Sequence, residues 1–521
     1  MQTQLRSASL ICAISFISFI SSAGIIRVPE DQPGIQAGID AAGSSDTVLV
    51  APGEYFENIH FNKNIILGSM FITTGDSAYI SQTIINADSN GTAVDVAFVT
   101  FPSRITGFTI TNGNAEEGAG IRIDGSQITV EHVRLINNYS ECENASSGAA
   151  VFAKNSVLRL KNFVLDSNLA LCESPAINSQ GGAIYARNTE LYLTNGLVSN
   201  NTSDVGGGIC LVQGKAVIKE VDFINNVANW PGGAIASFAS KIVADNLIFR
   251  ANEGAGAALY AVGPQSVTFR NCLFTEHPRT VFTVNTILLR LINCTLTENY
   301  GTHSIIFLSR VNFHALNTFF WNGFEHELNF MGSNNLSYIG NTCITGGKAG
   351  ITGQAQLNYF GPVYNTDPLF SAEYPYHLSD YSSYIGVGLD TLDTYPYIKA
   401  PVFDLAGNPR PLPEGSMPDL GVYENELGDP LVGIPEKHSA NISIYPNPSS
   451  GKFYVRNMSG EEISLIRVRK MNGAVVKEIH FDKAGSSFSE TMLSLRGHCG
   501  VYFLELLSGQ TIHRKKLLIV P

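Results

Sequence analysis

Between residues 107 and 323 the chain alternates short apolar runs with glycine and asparagine turns at a nearly regular spacing. Each unit opens with a glycine-rich step into a strand: GAGI (118–121), GAAV (148–151), GGAI (181–184), GGGI (206–209), GGAI (232–235) and GAAL (256–259). The last residues of these steps, Ile121, Val151, Ile184, Ile209, Ile235 and Leu259, lie 30, 33, 25, 26 and 24 apart. A second motif closes each unit: LINN (135–138), LDSN (165–168), VSNN (198–201), FINN (223–226), FRAN (249–252) and LTEN (296–299). Alternation such as Ile121/Ile123, Val151/Ala153, Ile184/Ala186 and Ile209/Leu211 turns one apolar set inward. A short unit of this kind with three β-runs is one coil of a parallel solenoid. The predicted fold is all-β: a right-handed single-stranded parallel β-helix followed by a small antiparallel β-sandwich. A single β-sandwich with regular loops is the alternative, but it would not need Gly and Asn in phase over successive units.

A further column stands six residues before each closing Asn: His132, Asn162, Asn195, Glu220 and Asn246, continued by Asn271 and Asn293, with Asn317 one place out of phase. Asn tolerates the left-handed backbone of a sharp turn, and coils stacked about 4.8 Å apart bring such amides within hydrogen-bonding reach. Asn162, Asn195, Asn246, Asn271 and Asn293 are therefore expected to form a structural ladder, not a ligand site.

The segment IQAGIDAAGSSDTVLVAPGEYFENIHFNKNIILGS (35–69) resembles the opening of pectin-lyase-like β-helix proteins. Ile35 and Ile39 are spaced to lay one helical face over the open end of the stack. DPLF (367–370), YHLS (376–379), GNPR (407–410) and PDLGVYE (418–424) resemble the end segment of many such bacterial proteins, and the GGAI and FINN units resemble repeats of polymorphic outer-membrane adhesins. The predicted organisation is a β-helix with its N-terminal capping helix over 24–345, an end segment over 346–428, a linker over 429–440 and a C-terminal domain over 441–521.

Alternating runs separated by Asn472-Gly473 and Ser508-Gly509 make that last domain an antiparallel sandwich. It resembles the type A C-terminal sorting domain of type IX secretion, through Tyr445-Pro446-Asn447-Pro448, Gly451, Gly500-Val501-Tyr502 and Lys515-Lys516. That resemblance implies recognition by the outer-membrane export machinery and a place outside the cell or on its surface. A carbohydrate-binding or immunoglobulin-like module is the rival reading. Residues 1–23 are expected to be a signal peptide: Arg6, an apolar run from Leu10 to Ile20, then Ser21-Ser22-Ala23. No other stretch is long and apolar enough for a membrane helix, so the mature chain should lack a transmembrane segment.

Composition narrows the partners. The formal net charge of −12 repels phosphate backbones and anionic lipid, which argues against nucleic acid or membrane as ligand. The chain is expected to be a monomer. Cys142 and Cys172 sit in matching inserted turns, ECEN and LCES, and an exported chain could join them in a disulfide. Cys272 and Cys294 also occupy equivalent places, there as buried free thiols.

Parallel β-helices often carry polysaccharide chemistry on one strand face. A lyase needs a Lys or Arg base and a cation, Ca²⁺ or Arg, to stabilise the developing negative charge; a hydrolase needs two opposed carboxyls. There is no Asp-Asp pair, no Gly-His-Gly and no recognisable Ca²⁺-binding Asp cluster, and no cofactor is evident; Ca²⁺ enters only if the chain is a lyase. Outward positions of the first run stack as Arg122, Phe152, Tyr185, Cys210, Ala236, Tyr260 and as Asp124, Lys154, Arg187, Val212, Phe238, Val262. Arg122, Phe152, Lys154, Tyr185, Arg187 and Tyr260 thus form a candidate glycan-binding track, with Lys154 or Arg187 as base if the chain is a lyase. The competing reading is an ordinary solvated strand face. The sequence-level expectation is an extracellular glycan binder or adhesin-like surface component, with a polysaccharide lyase or hydrolase as the alternative.

Overall fold

A computed structural model describes residues 23–142, 147–172, 179–300, 305–332, 336–392, 395–431, 442–447, 449–457, 463–470, 475–481, 490–495, 500–508 and 511–519. Residues 1–22 of the expected signal peptide lie outside the described residues, as do Pro448 and most of the expected linker. The chain forms two compact units, one holding residues up to 366 with 389–407 and 420–422, the other the remainder.

The first unit is a parallel β-helix. Strands from successive coils pair parallel and in register, as in Ile121↔Val151, Val151↔Ile184, Ile184↔Ile209 and Ile209↔Ile235. Each central coil has a short first-face strand, such as Ile121–Asp124, then a ten-residue strand, such as Gln127–Ile136. A left-handed residue bends the longer strand into a second and a third face: His132 (φ 52°), Asn162 (50°), Asn195 (53°), Glu220 (54°), Asn246 (58°). The connection between coils then carries a narrow extra ribbon, Tyr139–Cys142, Leu169–Cys172, Thr202–Ser203, Val227–Pro231 and Glu253–Ala255. Strand-to-strand connections of this kind are right-handed.

Inside, the alternating apolar set is fully buried, including Ile121, Ile123, Leu135, Leu165 and Phe223. Phe223, Phe249 and Phe274 stack at 4.9 and 4.8 Å between centroids, nearly parallel because strict register repeats each side chain one coil later. Helix α1 (Ile35–Ala41) covers the N-terminal end, with Ile35 and Ile39 buried in the core. The parallel stack runs on to Val363–Tyr364, into the segment expected to end the β-helix.

Two amide files run along the stack. On the outer edge, Asn195 donates to Asn162 at 2.8 Å, Asn271 to Asn246 at 3.1 Å and Asn317 to Asn293 at 3.3 Å. Asn317 is in phase after all: Thr295 pairs with Phe319, which sets Asn293 beside Asn317. The longer file is internal and uses the closing Asn of each unit. Asn138, Asn168, Asn201, Asn226 and Asn252 are buried, each side-chain amide donating to the next side-chain oxygen at 2.9–3.0 Å. His277 replaces Asn in the next coil, and the file resumes with Asn299 and Asn322, ending on buried Glu327.

In the second unit, two antiparallel sheets form the C-terminal sandwich: Ile442–Tyr445, Lys452–Asn457 and Glu490–Ser494, and a four-stranded sheet ending in Gly500–Ser508 and Thr511–Ile519. Phe453, Val468, Leu504 and Leu517 form its core, and Tyr502 is buried with them. Gly451 and Gly500 both have positive φ, 95° and 121°. Elsewhere in this unit Arg410 and Glu424 make a fully buried ion pair at 3.2 Å.

Candidate functional site

The structure separates the expected track into buried and exposed halves. Phe152 and Tyr185 are in register and their rings stack at 5.4 Å, yet they are only 3% and 8% exposed. The turns before each first-face strand explain the correction. Glu117, Ser147, Gln180 and Val205 stack as a column of their own, folding back over this face. Val205 packs on Phe152, Tyr185, Cys210 and Ala236, while Gln180 lies within hydrogen-bonding distance of the Cys210 thiol. These aromatic rings are a satellite core, and sugar cannot stack on them. Tyr260 is half-buried, tilted against Phe238 at 6.0 Å. Arg122 is committed to Asp95 at 3.1 Å, Asp124 at 3.5 Å and Glu117 at 3.6 Å. Burial works to lower its pKa, and these carboxylates more than offset that, holding it above the ordinary value.

Lys154 and Arg187 pair in register, with Arg187 exposed. They border the edge between the first and second faces, where left-handed Asn155 and Asn188 follow them and Asn188 donates to Asn155 at 3.3 Å. Short polar residues at this bend leave a hollow of about 430 Å³, lined by Gln127, Asn155, Asn188 and Glu190.

Aromatic rings flank the hollow. Phe98 is 84% exposed in a left-handed conformation (φ 56°), its ring against the backbone of Gly125 at the hollow's rim. A bulky residue with positive φ and an exposed ring costs free energy twice, a combination concentrated at functional sites. Three residues on, Phe101 lies under the Arg159 guanidinium, 3.9 Å from ring centroid to Cζ. Arg159 faces outward on the second face and pairs in register with Tyr192, whose centroid is 5.3 Å from the same guanidinium. Lys215 of the next coil reaches to 5.5 Å of the Tyr192 ring, and the Tyr192 hydroxyl donates to Glu190 at 2.6 Å. Aromatic surface and cations thus alternate over three consecutive coils.

Arg159 and Tyr192 are the outward residues of VLRL and ELYL, legible from the same alternation that gave the first-run track. Phe98 and Phe101 come from an irregular turn with no periodic signal.

Among the described residues no cluster of His, Cys, Asp or Glu could hold a metal ion, and no helix is long and apolar enough to cross a membrane. Cys142 and Cys172 are in-register Cα partners on the ribbon, the Cys142 side chain lying outside the described residues. Cys272 and Cys294 are buried thiols.

Residues 119–296 match the family described as right handed beta helix region, and residues 443–520 match the secretion system C-terminal sorting domain. Both bear out the readings made from the sequence. No curated protein matches the chain. Among solved structures, pectate lyase Pel9A is 13% identical, with 78% of this chain and 98% of that one covered at a TM-score of 0.32. Tailspike protein gp49 from Acinetobacter baumannii bacteriophage Fri1, a capsular polysaccharide depolymerase, is 10% identical over 96% of this chain and 78% of its own, TM-score 0.24. PfbA, a surface adhesin of Streptococcus pneumoniae, is 12% identical over 63% and 85%, TM-score 0.25. The sorting domain marks the chain for export by type IX secretion to the cell surface or the extracellular space.

Proposed function

We propose that this exported right-handed β-helix, carrying a type IX sorting tail, binds acidic extracellular polysaccharide along the edge between its first and second faces. One observation carries the reading: Arg159 sits between Phe101 and Tyr192, with Lys215 on the far side of Tyr192. The exposed Phe98 ring offers an apolar face to the C–H faces of sugars, and the Arg159 guanidinium, held by Phe101 and Tyr192, attracts carboxylate or sulfate. Asn155, Asn188 and Gln127 supply amides in the adjoining hollow for hydroxyl groups. The fold aligns these groups along one edge, so a linear chain can lie across several coils at once. A molecule with net charge −12 that gathers cations beside aromatic rings on one edge has a local preference opposite to its global field.

The test is binding of the purified mature chain to pectate, alginate, a sulfated glycan and a neutral glucan. Arg159→Ala with Tyr192→Ala should weaken binding to an acidic chain by roughly 10- to 100-fold, from lost cation–π and stacking contacts. Tyr185→Phe should leave it unchanged. Equal binding by the double variant and the parent would reject the reading.

A lyase is the second reading, favoured by one observation: Lys154 and Arg187 stand in register beside the same hollow. Release of unsaturated uronate, lost in Lys154→Gln or Arg187→Gln, would establish it, and absence of release from every acidic chain that binds would remove it.

A further inference from the structure

An insertion within one N-terminal coil, between its strands Ile66–Ser69 and Thr83–Asn86, folds as α2 (Phe71–Thr74) and α3 (Ala78–Gln82) and stands against another edge, between the second and third faces. It is fixed there at two points. The Phe71 ring lies 4.4 Å from that of His132, and Thr109 Oγ1 donates to the Ile80 carbonyl at 2.9 Å. Between this wall and the coils lies a cleft of about 570 Å³, within the range of small-ligand sites.

Its chemistry is mixed in a specific way. Val164 and Leu197 give an apolar floor, Ser77 and Ser81 line the wall, Asn195 supplies an amide and Arg134 a guanidinium. Beneath this floor Gly196 makes room for the buried Phe163 ring: a β-carbon there would come 2.3 Å from Phe163 Cζ, so any larger residue would displace that ring. Arg134 is exposed and feels Asp166 through space, but among the described residues it makes no ion pair, the donors to that carboxylate being neutral. Asp166 accepts hydrogen bonds from Ser199 at 2.5 Å, Asn200 at 2.8 Å and Ser167 at 2.9 Å. The guanidinium therefore remains available to an external anion at an apolar floor.

We infer that this cleft is a second carbohydrate site, independent of the proposed polysaccharide edge, and that it takes a single sugar residue carrying one anionic group. The floor takes the C–H face of the ring, the serines and Asn195 take hydroxyls, and Arg134 takes the anion. A carboxylate and a sulfate share this chemistry.

Calorimetric titration of the purified mature chain with three disaccharides tests it: one ending in glucuronate, one ending in galactose 6-sulfate, and lactose. At least one anionic disaccharide should bind 10-fold or more tightly than lactose, and the tighter of the two identifies the anion. Arg134→Gln should erase that preference, and Ser81→Trp, an exposed position that fills the cleft from its wall, should abolish binding. Thermal melting within a few degrees of the parent shows that each variant is folded. The inference is overturned if neither anionic disaccharide binds, or if both variants bind as the parent does. Arg159→Ala with Tyr192→Ala should leave disaccharide binding intact, so a failed polysaccharide edge and a failed cleft give different results.

Discussion

The imidazole of His277 occupies the place that Asn252 and Asn299 hold in the coils on either side, and its Nδ1 lies 3.1 Å from the Asn252 backbone nitrogen and 3.2 Å from the Asn252 carbonyl oxygen. The other ring nitrogen, Nε2, is buried without a hydrogen-bond partner among the described residues. Asparagine would satisfy both neighbours, as it does along the rest of the file.

Burial holds the His277 pKa down at about 4, against 6.5 in an unfolded chain. A lowered histidine pKa means that stability is full above pH 6.5 and is lost as pH falls from 6.5 towards 4, on the order of 3 kcal/mol for this side chain. His277→Asn should raise the urea midpoint at pH 7 and flatten its decline between pH 6.5 and 4. A midpoint lowered at both pH values would show that the imidazole is favoured there.

Tyr185 should behave as a core residue. Tyr185→Ala leaves a cavity beside Phe152, Val205 and Cys210 and should cost about 3 kcal/mol in urea denaturation. Tyr185→Phe should stay within 1 kcal/mol. A neutral alanine variant would mean that the overlying turns do not hold this face closed.

The buried pair Arg410–Glu424 shares its surroundings with Asp419, whose pKa is pushed up to about 7, first by burial and then by Glu424. A carboxylate raised from 3.8 favours folding below pH 3.8 and loses that contribution as pH rises through 7. Amide hydrogen exchange at Gly386 and Asn425, which donate to Asp419, should therefore become less protected, at equal intrinsic rate, between pH 5 and 8. Arg410→Ala strands Glu424 and should destabilise this unit by about 3–5 kcal/mol.

Parallel neighbours in register have Cα atoms about 5 Å apart, inside the span of a disulfide. Cys142 and Cys172 have that relation, and in the exported chain they should be joined. Mass spectrometry without reductant should show a peptide pair two hydrogens lighter than the sum of its thiols. Cys142→Ser with Cys172→Ser should lower stability by about 2–4 kcal/mol. Two freely alkylated thiols would reject the link.

The coil period was legible because each turn demands a particular backbone. Gly118, Gly148, Gly181, Gly206 and Gly232 all have positive φ, and a β-carbon at any of them would come within 3 Å of a neighbouring atom. The outer Asn column followed from the same demand, whereas the internal file was visible only as a recurring motif ending, because spacing does not say whether an amide points in or out. The track failed for a related reason. Register put Phe152 outward correctly, but the cover over it comes from irregular turns at 117, 147, 180 and 205, which leave no periodic mark. The α2–α3 wall of the cleft was invisible likewise, since a few helical residues outside the repeat carry no sign of where they dock.

The strand-to-strand pairing of successive coils has a mechanical consequence. Backbone hydrogen bonds such as Ile209 N–H to Ala234 O run along the stack, so tension applied between its two ends peels bonds a few at a time. Tension applied across the stack instead strains a whole coil at once. A surface protein built this way yields gradually to a lengthwise pull, and the internal amide file, crossing each gap from Asn138 to Asn252, adds one more tie that every successive rupture must break.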